Sequence, residues 1–165
     1  MLIKVVNLYG SIRNRVRKYY YKILYRRKYC PSEGVFARKS FHVLIEGNGK
    51  ITIGRHTFFN NYCSLNCMNR ITIGDNCVIG ENVKLYDHSH VYHSKNVPIA
   101  DQGFSTKEVC IGDNCWIGSN VTILKGTKIG NHCVIGANCL VFGEIPDNTI
   151  VRFAANNMEW IEMKG

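Results

Sequence analysis

Three of the six histidines in this 165-residue chain lie within six residues, at His88, His90 and His93. The first two belong to the string Tyr86-Asp87-His88-Ser89-His90. An imidazole titrates near working pH, so the cluster suits proton transfer to or from a reacting group. Residues two apart on a strand share a side, which puts His88 and His90 together. Asp87 offers a carboxylate that can hold an imidazole in one tautomer. Three neighbouring histidines also raise zinc ligation as a rival use. The sequence has no Gly-x-Ser-x-Gly elbow and no Ser-His-Asp pairing, which argues against a serine acyl-enzyme. His93 reads as a loop residue, and His42, His56 and His132 as solvent-facing positions.

What positions the cluster is a repeat. Ile111, Ile117, Ile123, Ile129, Ile135 and Val141 recur every six residues, with Gly after four of them, at 112, 118, 130 and 136. Earlier runs read Ile73-Gly74, Ile79-Gly80, Leu85, Val91, and before them Ile53-Gly54, Phe59, Leu65. These thirteen hexads predict about four triangular coils. A period of six fits neither an α-helix nor an alternating hairpin. It predicts a parallel β-helix, with the aliphatic residue inward and the following Gly turning the corner at unusual backbone angles. Four residues after the aliphatic come Cys63, Cys77, Cys115, Cys133 and Cys139, which read as small inward hydrophobes. Cys30, Cys67 and Cys110 fall off this register and read as incidental. The period slips by two between Leu65 and Ile73 and fails between Val91 and Ile111. The failure predicts an extruded loop over 92–108, with the histidines at its entrance.

Three segments follow: a basic helical arm over 1–30, the β-helix over 31–155, and a capping helix over 156–165. Residues 1–30 hold nine Lys or Arg and no acid, leaving 12 basic and 12 acidic side chains in the rest. The body is neutral and the arm carries the whole excess of +9. Leu8, Ile12, Val16, Tyr19, Tyr20, Ile23 and Leu24 recur at helical steps, predicting an amphipathic helix over roughly 7–28. Such a helix suits either an anionic membrane surface or packing on the β-helix or at an oligomer axis. Nucleic acid is the weaker partner, because no recognition motif accompanies the charge. No apolar run reaches the roughly 18 residues of a membrane span, and the basic N-terminus lacks a signal peptide's apolar stretch. Eight cysteines without an export signal point to the cytoplasm, with peripheral attachment to the inner membrane face if the arm binds lipid.

The repeats and the loop together carry a family resemblance over about residues 45–150. Ile-Thr-Ile-Gly-Asp-Asn-Cys-Val-Ile-Gly (71–80), Val-Lys-Leu-Tyr-Asp-His-Ser-His (83–90), Ile-Gly-Asp-Asn-Cys-Trp-Ile-Gly-Ser-Asn-Val (111–121) and Val-Ile-Gly-Ala-Asn (134–138) carry it. The chain resembles the maltose, galactoside and nodulation acetyltransferases of the hexapeptide-repeat superfamily. It is more similar still to those of capsule and lipopolysaccharide gene clusters. The resemblance implies an all-β solenoid, a left-handed parallel β-helix, assembled as a homotrimer with active sites between subunits. It implies acetyl-CoA as acyl donor, no metal, and O-acetylation of a sugar or lipid-linked precursor in polysaccharide biosynthesis. It places the general base on His90, with His88 and Asp87 beside it. It assigns the acceptor to Asn60 and CoA to Ser119 and Ala137; position in the sequence adds Tyr86 and His88 for the acceptor and Trp116 and Lys125 for CoA. Two departures stand out: Phe142-Gly143 replace the family's Thr-Lys, and Phe153-Ala154-Ala155-Asn156 its Gly-Asn-Pro-Ala turn. The CoA phosphates would then meet Lys125, Lys128 or Arg152. Acetylation of an amino sugar, a non-catalytic β-helix scaffold and a zinc carbonic anhydrase of the same fold are the alternatives.

Overall fold

The structure is a computed structural model that describes residues 2–153 and 158–162, with side chains described from residue 10 to residue 153. Three parallel sheets form the sides of a solenoid. The first side stacks Tyr29–Pro31, Lys50–Ile53, Arg70–Ile73, Val109–Ile111, Lys128–Ile129 and Glu144–Ile145. The second stacks Phe36–Ala37, Phe58–Phe59, Val78–Ile79, Trp116–Ile117, Val134–Ile135 and Thr149–Phe153. The third stacks His42–Ile45, Ser64–Cys67, Lys84–Tyr86, Thr122–Ile123 and Leu140–Val141. The solenoid therefore has about six coils, not four. The first coil escapes the sequence pattern because Pro31, Ala37 and Val43 keep the six-residue spacing but are followed by Ser32, Arg38 and Leu44 instead of Gly.

The inward column is buried throughout: Ile53, Ile73, Ile117 and Ile135 expose 1% or less. The small inward residues do more than fill space. Thr57 Oγ1 and the thiols of Cys63, Cys77, Cys115 and Cys133 each donate to a carbonyl at the corner of the next coil, at 2.8–3.1 Å. Cysteine and threonine suit the site because each combines small volume with a donor.

Glycine's role differs from the expectation. The left-handed backbone angles fall on Asn76, Asn82, Asn114, Asn120, Asn138 and their equivalents, two residues after the glycine. Asparagine tolerates that region. The glycine is needed because the next coil touches it. A Cβ on Gly118 would stand 2.6 Å from the Ala137 amide nitrogen and 2.8 Å from the Ile135 carbonyl oxygen. At the corner between the first and second sides, an Asx ladder adds to the stacking. Each backbone amide of Arg55, Asp75, Asp113 and Asn131 donates to the side chain of the equivalent residue one coil on, at 2.6–2.8 Å.

Each end carries an added element. At the start, helix α1 (Leu2–Tyr25) lies on the first coil. Tyr21 is buried against Tyr29 and Phe41, and its hydroxyl donates to the Phe41 carbonyl and accepts from the Val43 amide. Asn14 accepts from the Ala37 amide, Arg17 donates to the Ala37 and Arg38 carbonyls, and Lys18 to that of Ser32. These contacts satisfy edge groups the first coil would otherwise leave open. At the far end the expected capping helix over 156–165 is replaced. Met158–Glu162 is a strand, antiparallel to Thr149–Phe153, with Ile150 opposite Ile161. An open sheet edge offers a ladder of unpaired groups that a strand can meet and a helix cannot. The rest of that span, 156–157 and 163–165, lies outside the described residues.

Gly118→Ala is expected to destabilise the protein by about 1–3 kcal/mol, because the new methyl meets backbone rather than a movable side chain. Chemical denaturation measures the loss; a variant as stable as wild type would show that the coils separate freely at this corner.

Candidate active site

The break in the repeat is an excursion from the corner between the third and first sides. The chain leaves after Lys84–Tyr86 and returns at Val109. His88–His90 pairs antiparallel with Phe104–Thr106, placing His90 opposite Phe104. The Lys107 amide donates to the Asp87 carbonyl at 2.8 Å and closes the base of this ribbon. Farther out, the Gln102 side chain accepts from the Ser94 amide and donates to the Ser94 and Val97 carbonyls.

Asp87 anchors the excursion and is fully buried. Its carboxylate accepts from the Met68 amide at 2.8 Å, the Asn69 amide at 2.7 Å and the Cys67 thiol at 3.2 Å. A fourth partner is the Nδ1 of His88, 2.9 Å away. Burial alone would push the Asp87 carboxyl up. The Met68 amide, the His88 ring, the Asn69 amide and the Cys67 thiol outweigh it and hold the group below the usual carboxylate range. Burial first, then the bond to this carboxylate, pushes the Cys67 thiol up to about 12. With Asp87 ionised, the shared proton sits on His88 Nδ1, so a neutral imidazole keeps its Nε2 lone pair free. Cys67 is thus no incidental residue: it points inward, with 1% exposed. The slip between Leu65 and Ile73 was its signal in the sequence.

His88 and His90 share a side of the ribbon. Phe104 lies between them, its centroid 5.6 Å from the His88 ring and 4.5 Å from that of His90. Tyr86 meets His88 edge-on at 6.4 Å. Nothing in the hexads marked Phe104, because it belongs to the segment where the period fails. His90 is exposed, while the His88 side chain exposes only 15%. Lys125 stands at the same corner one coil on, its ammonium 3.4 Å from the Ser105 carbonyl.

The other expected site residues are elsewhere. Asn60, Ser119 and Ala137 line the corner between the second and third sides, and Trp116 projects from the second side, 56% exposed. Asn60 accepts from the Asn61 amide and from Arg38, while Ser119 accepts from the Glu81 amide. One width of the third side separates this corner from the histidines, on the order of 15–20 Å at the rise of a strand. The expected site residues thus fall at two corners that one chain does not bring together. Lys128 is held by Glu144 at 2.8 Å. Among the described residues, no group of three or more His, Cys, Asp or Glu side chains is arranged to hold a metal ion. A cavity of about 560 Å³ lined by Leu24, Tyr25, Arg26, Arg27, Lys28 and Ile45 lies at the foot of α1, on the first coil, and holds no group of the histidine cluster.

Residues 111–143 match the family model "Bacterial transferase hexapeptide (six repeats)", and residues 70–85 match "Hexapeptide repeat of succinyl-transferase". WbbJ of Escherichia coli (strain K12), named for an O-acetyl transferase of lipopolysaccharide biosynthesis, is 36% identical over 112 residues. That match takes in 64% of this chain and 57% of WbbJ, so the chain spans little more than half of that relative's length. A hexapeptide-repeat acetyltransferase of Vibrio cholerae, solved with acetyl-CoA, is 30% identical, with a TM-score of 0.64. The match covers 79% of this chain and 70% of that one. A galactoside acetyltransferase solved with coenzyme A is 26% identical over 92% of this chain and 79% of its own, with a TM-score of 0.70.

Asp87→Asn leaves buried donors without a charged acceptor and is expected to cost about 2–4 kcal/mol at neutral pH. A carboxyl held low in the folded chain gives stability that is complete above its unfolded value and is lost as pH falls through the folded one. The difference in denaturation midpoint between wild type and variant should therefore narrow progressively as pH falls below the unfolded carboxylate value of about 3.9. A difference that persists unchanged in acid would contradict the anchoring role.

Proposed function

The chain belongs to the hexapeptide-repeat acetyltransferase family, and we propose that it transfers an acetyl group from acetyl-CoA to a hydroxyl of a sugar or lipid-linked polysaccharide precursor. The observation that carries this reading is the pair His88 and His90 on one side of a ribbon rooted in buried Asp87. His90, the exposed member, takes the hydroxyl proton as the sugar oxygen attacks the thioester carbonyl. The tetrahedral intermediate collapses, the C–S bond breaks, and the imidazolium returns the proton to the CoA thiolate. Transfer is direct, in a ternary complex. One observation favours His88 as the base instead: its Nδ1 is held by Asp87, the arrangement that frees Nε2 to accept a proton.

His90→Ala is expected to lower kcat by on the order of 10²–10⁴ with little change in CoA affinity, and His88→Ala to do less. Thiol release from acetyl-CoA, measured with hydroxyl and amino sugars, checks both. The reverse order moves the base to His88; near-normal turnover in both variants would refute the histidine mechanism.

The separated corners support a homotrimer in which the histidine corner of one subunit meets the Asn60–Ser119–Ala137 corner of its neighbour. There Ser119, Ala137 and Trp116 would line the CoA arm, Lys125 would approach its phosphates, and Asn60 and Tyr86 would hold the acceptor. Co-expression of His90→Ala with Ser119→Trp, each inactive alone, is expected to restore about one quarter of wild-type activity, since about that share of interfaces joins two intact corners. No recovery in mixed oligomers would place the whole site within one chain.

A further inference from the structure

Helix α1 has two faces, and the packed one is not the one its sequence advertises. The side on the first coil carries Asn14, Arg17, Lys18, Tyr21 and Tyr25. The apolar stripe points the other way. Ile12, Val16, Tyr19, Tyr20, Ile23 and Leu24 expose between 52% and 68% of their surface. At the helical rise, residues 12 to 24 make a stripe about 18 Å long. A run of that kind on an otherwise satisfied helix marks a surface that something covers. The exposed Arg15, Lys22, Arg26 and Arg27 accompany the stripe. Residues 1–30 contain no Asp or Glu to balance them.

We propose that the outward stripe of α1 docks in the plane of an anionic phospholipid bilayer, while the opposite face holds the solenoid. Aliphatic side chains enter the acyl boundary, Tyr19 and Tyr20 sit among the headgroups, and the basic residues meet lipid phosphates. Charge selects this occupant over a second copy of the chain. Two such stripes facing each other would bring Arg15, Lys22, Arg26 and Arg27 against the same four cations, with no anion in residues 1–30 to sit between them. The inference concerns where the protein resides, and it stands whether or not the acetyl transfer proposed above is correct.

The test uses the full chain, because removing α1 would uncover Tyr29 and Phe41. Wild type is sedimented with vesicles of phosphatidylcholine alone and of phosphatidylcholine with phosphatidylglycerol. Val16→Glu/Ile23→Glu and a quadruple Gln variant of Arg15, Lys22, Arg26 and Arg27 are run beside it. Wild type is expected to bind the anionic vesicles and to release them as salt rises. Each variant should lose binding by at least about tenfold, with thermal melting and oligomer mass unchanged. Absence of wild-type binding at low salt, equal binding to uncharged vesicles, or binding unaffected in both variants would each overturn the proposal. A change in oligomer mass for Val16→Glu/Ile23→Glu would overturn it too, by showing that another subunit covers the stripe.

Discussion

Backbone contact between successive coils is the constraint on which this molecule depends. Corners stack so closely that a Cβ at Gly118 has no room. Three features follow from that spacing. Glycine occupies the contact point, Asn two residues later absorbs the left-handed turn, and a small inward donor reaches the carbonyl one coil on. The donor must be small because the interior holds a full column of Ile beside it. The Cys-rich composition thus follows from geometry, with no disulfide or metal needed to account for it.

Where the chain abandons the stack, the same accounting has to be met by other means. The corner amides of Met68 and Asn69 donate to Asp87, which follows Tyr86 one coil on and is drawn inward where the repeat breaks. A buried carboxylate is tolerable only when it is well bonded, and here it has four partners. One of them is the ring of His88. Structural repair of the broken repeat and orientation of the candidate catalytic group are therefore one interaction. The candidate histidine at the break is thereby tied to the buried interior of the solenoid beneath it.

Much of this was legible in the sequence. The hexads gave the inward columns, the failure of the period located the ribbon, and the histidines stood at its root. What was hidden had physical causes. Asp87 continues the inward alternation of Val83 and Leu85, yet a carboxylate argues against burial until its donors are known. That the expected site residues fall at two corners was obscured because a period of six does not say which side of the triangle a hexad forms once the register has slipped. Helix α1 was legible as an amphipathic helix with two possible uses, but not which side packs: tyrosine hydroxyls, Asn14 and Arg17 face the first coil, since that coil presents hydrogen-bonding edge groups as well as rings. At the other end, the composition of residues 156–163 favours a helix, and the sheet edge that turns Met158–Glu162 into a strand is invisible in it.

The antiparallel strand at that end has a meaning beyond closure. A parallel stack of near-identical coils is its own template, and nothing within a hexad says when to stop. The same regularity that folds the chain would let one molecule nucleate on the exposed rim of another, as cross-β growth does. On the second side a strand running backwards breaks the template, because an antiparallel pair changes the hydrogen-bond pattern that a further parallel coil would continue. The helix at the opposite rim does the same by filling edge positions with side chains. The repeat itself thus sets the cross-section of the solenoid and not its length, and whole coils become units that evolution can insert or delete between the helix and the reversed strand.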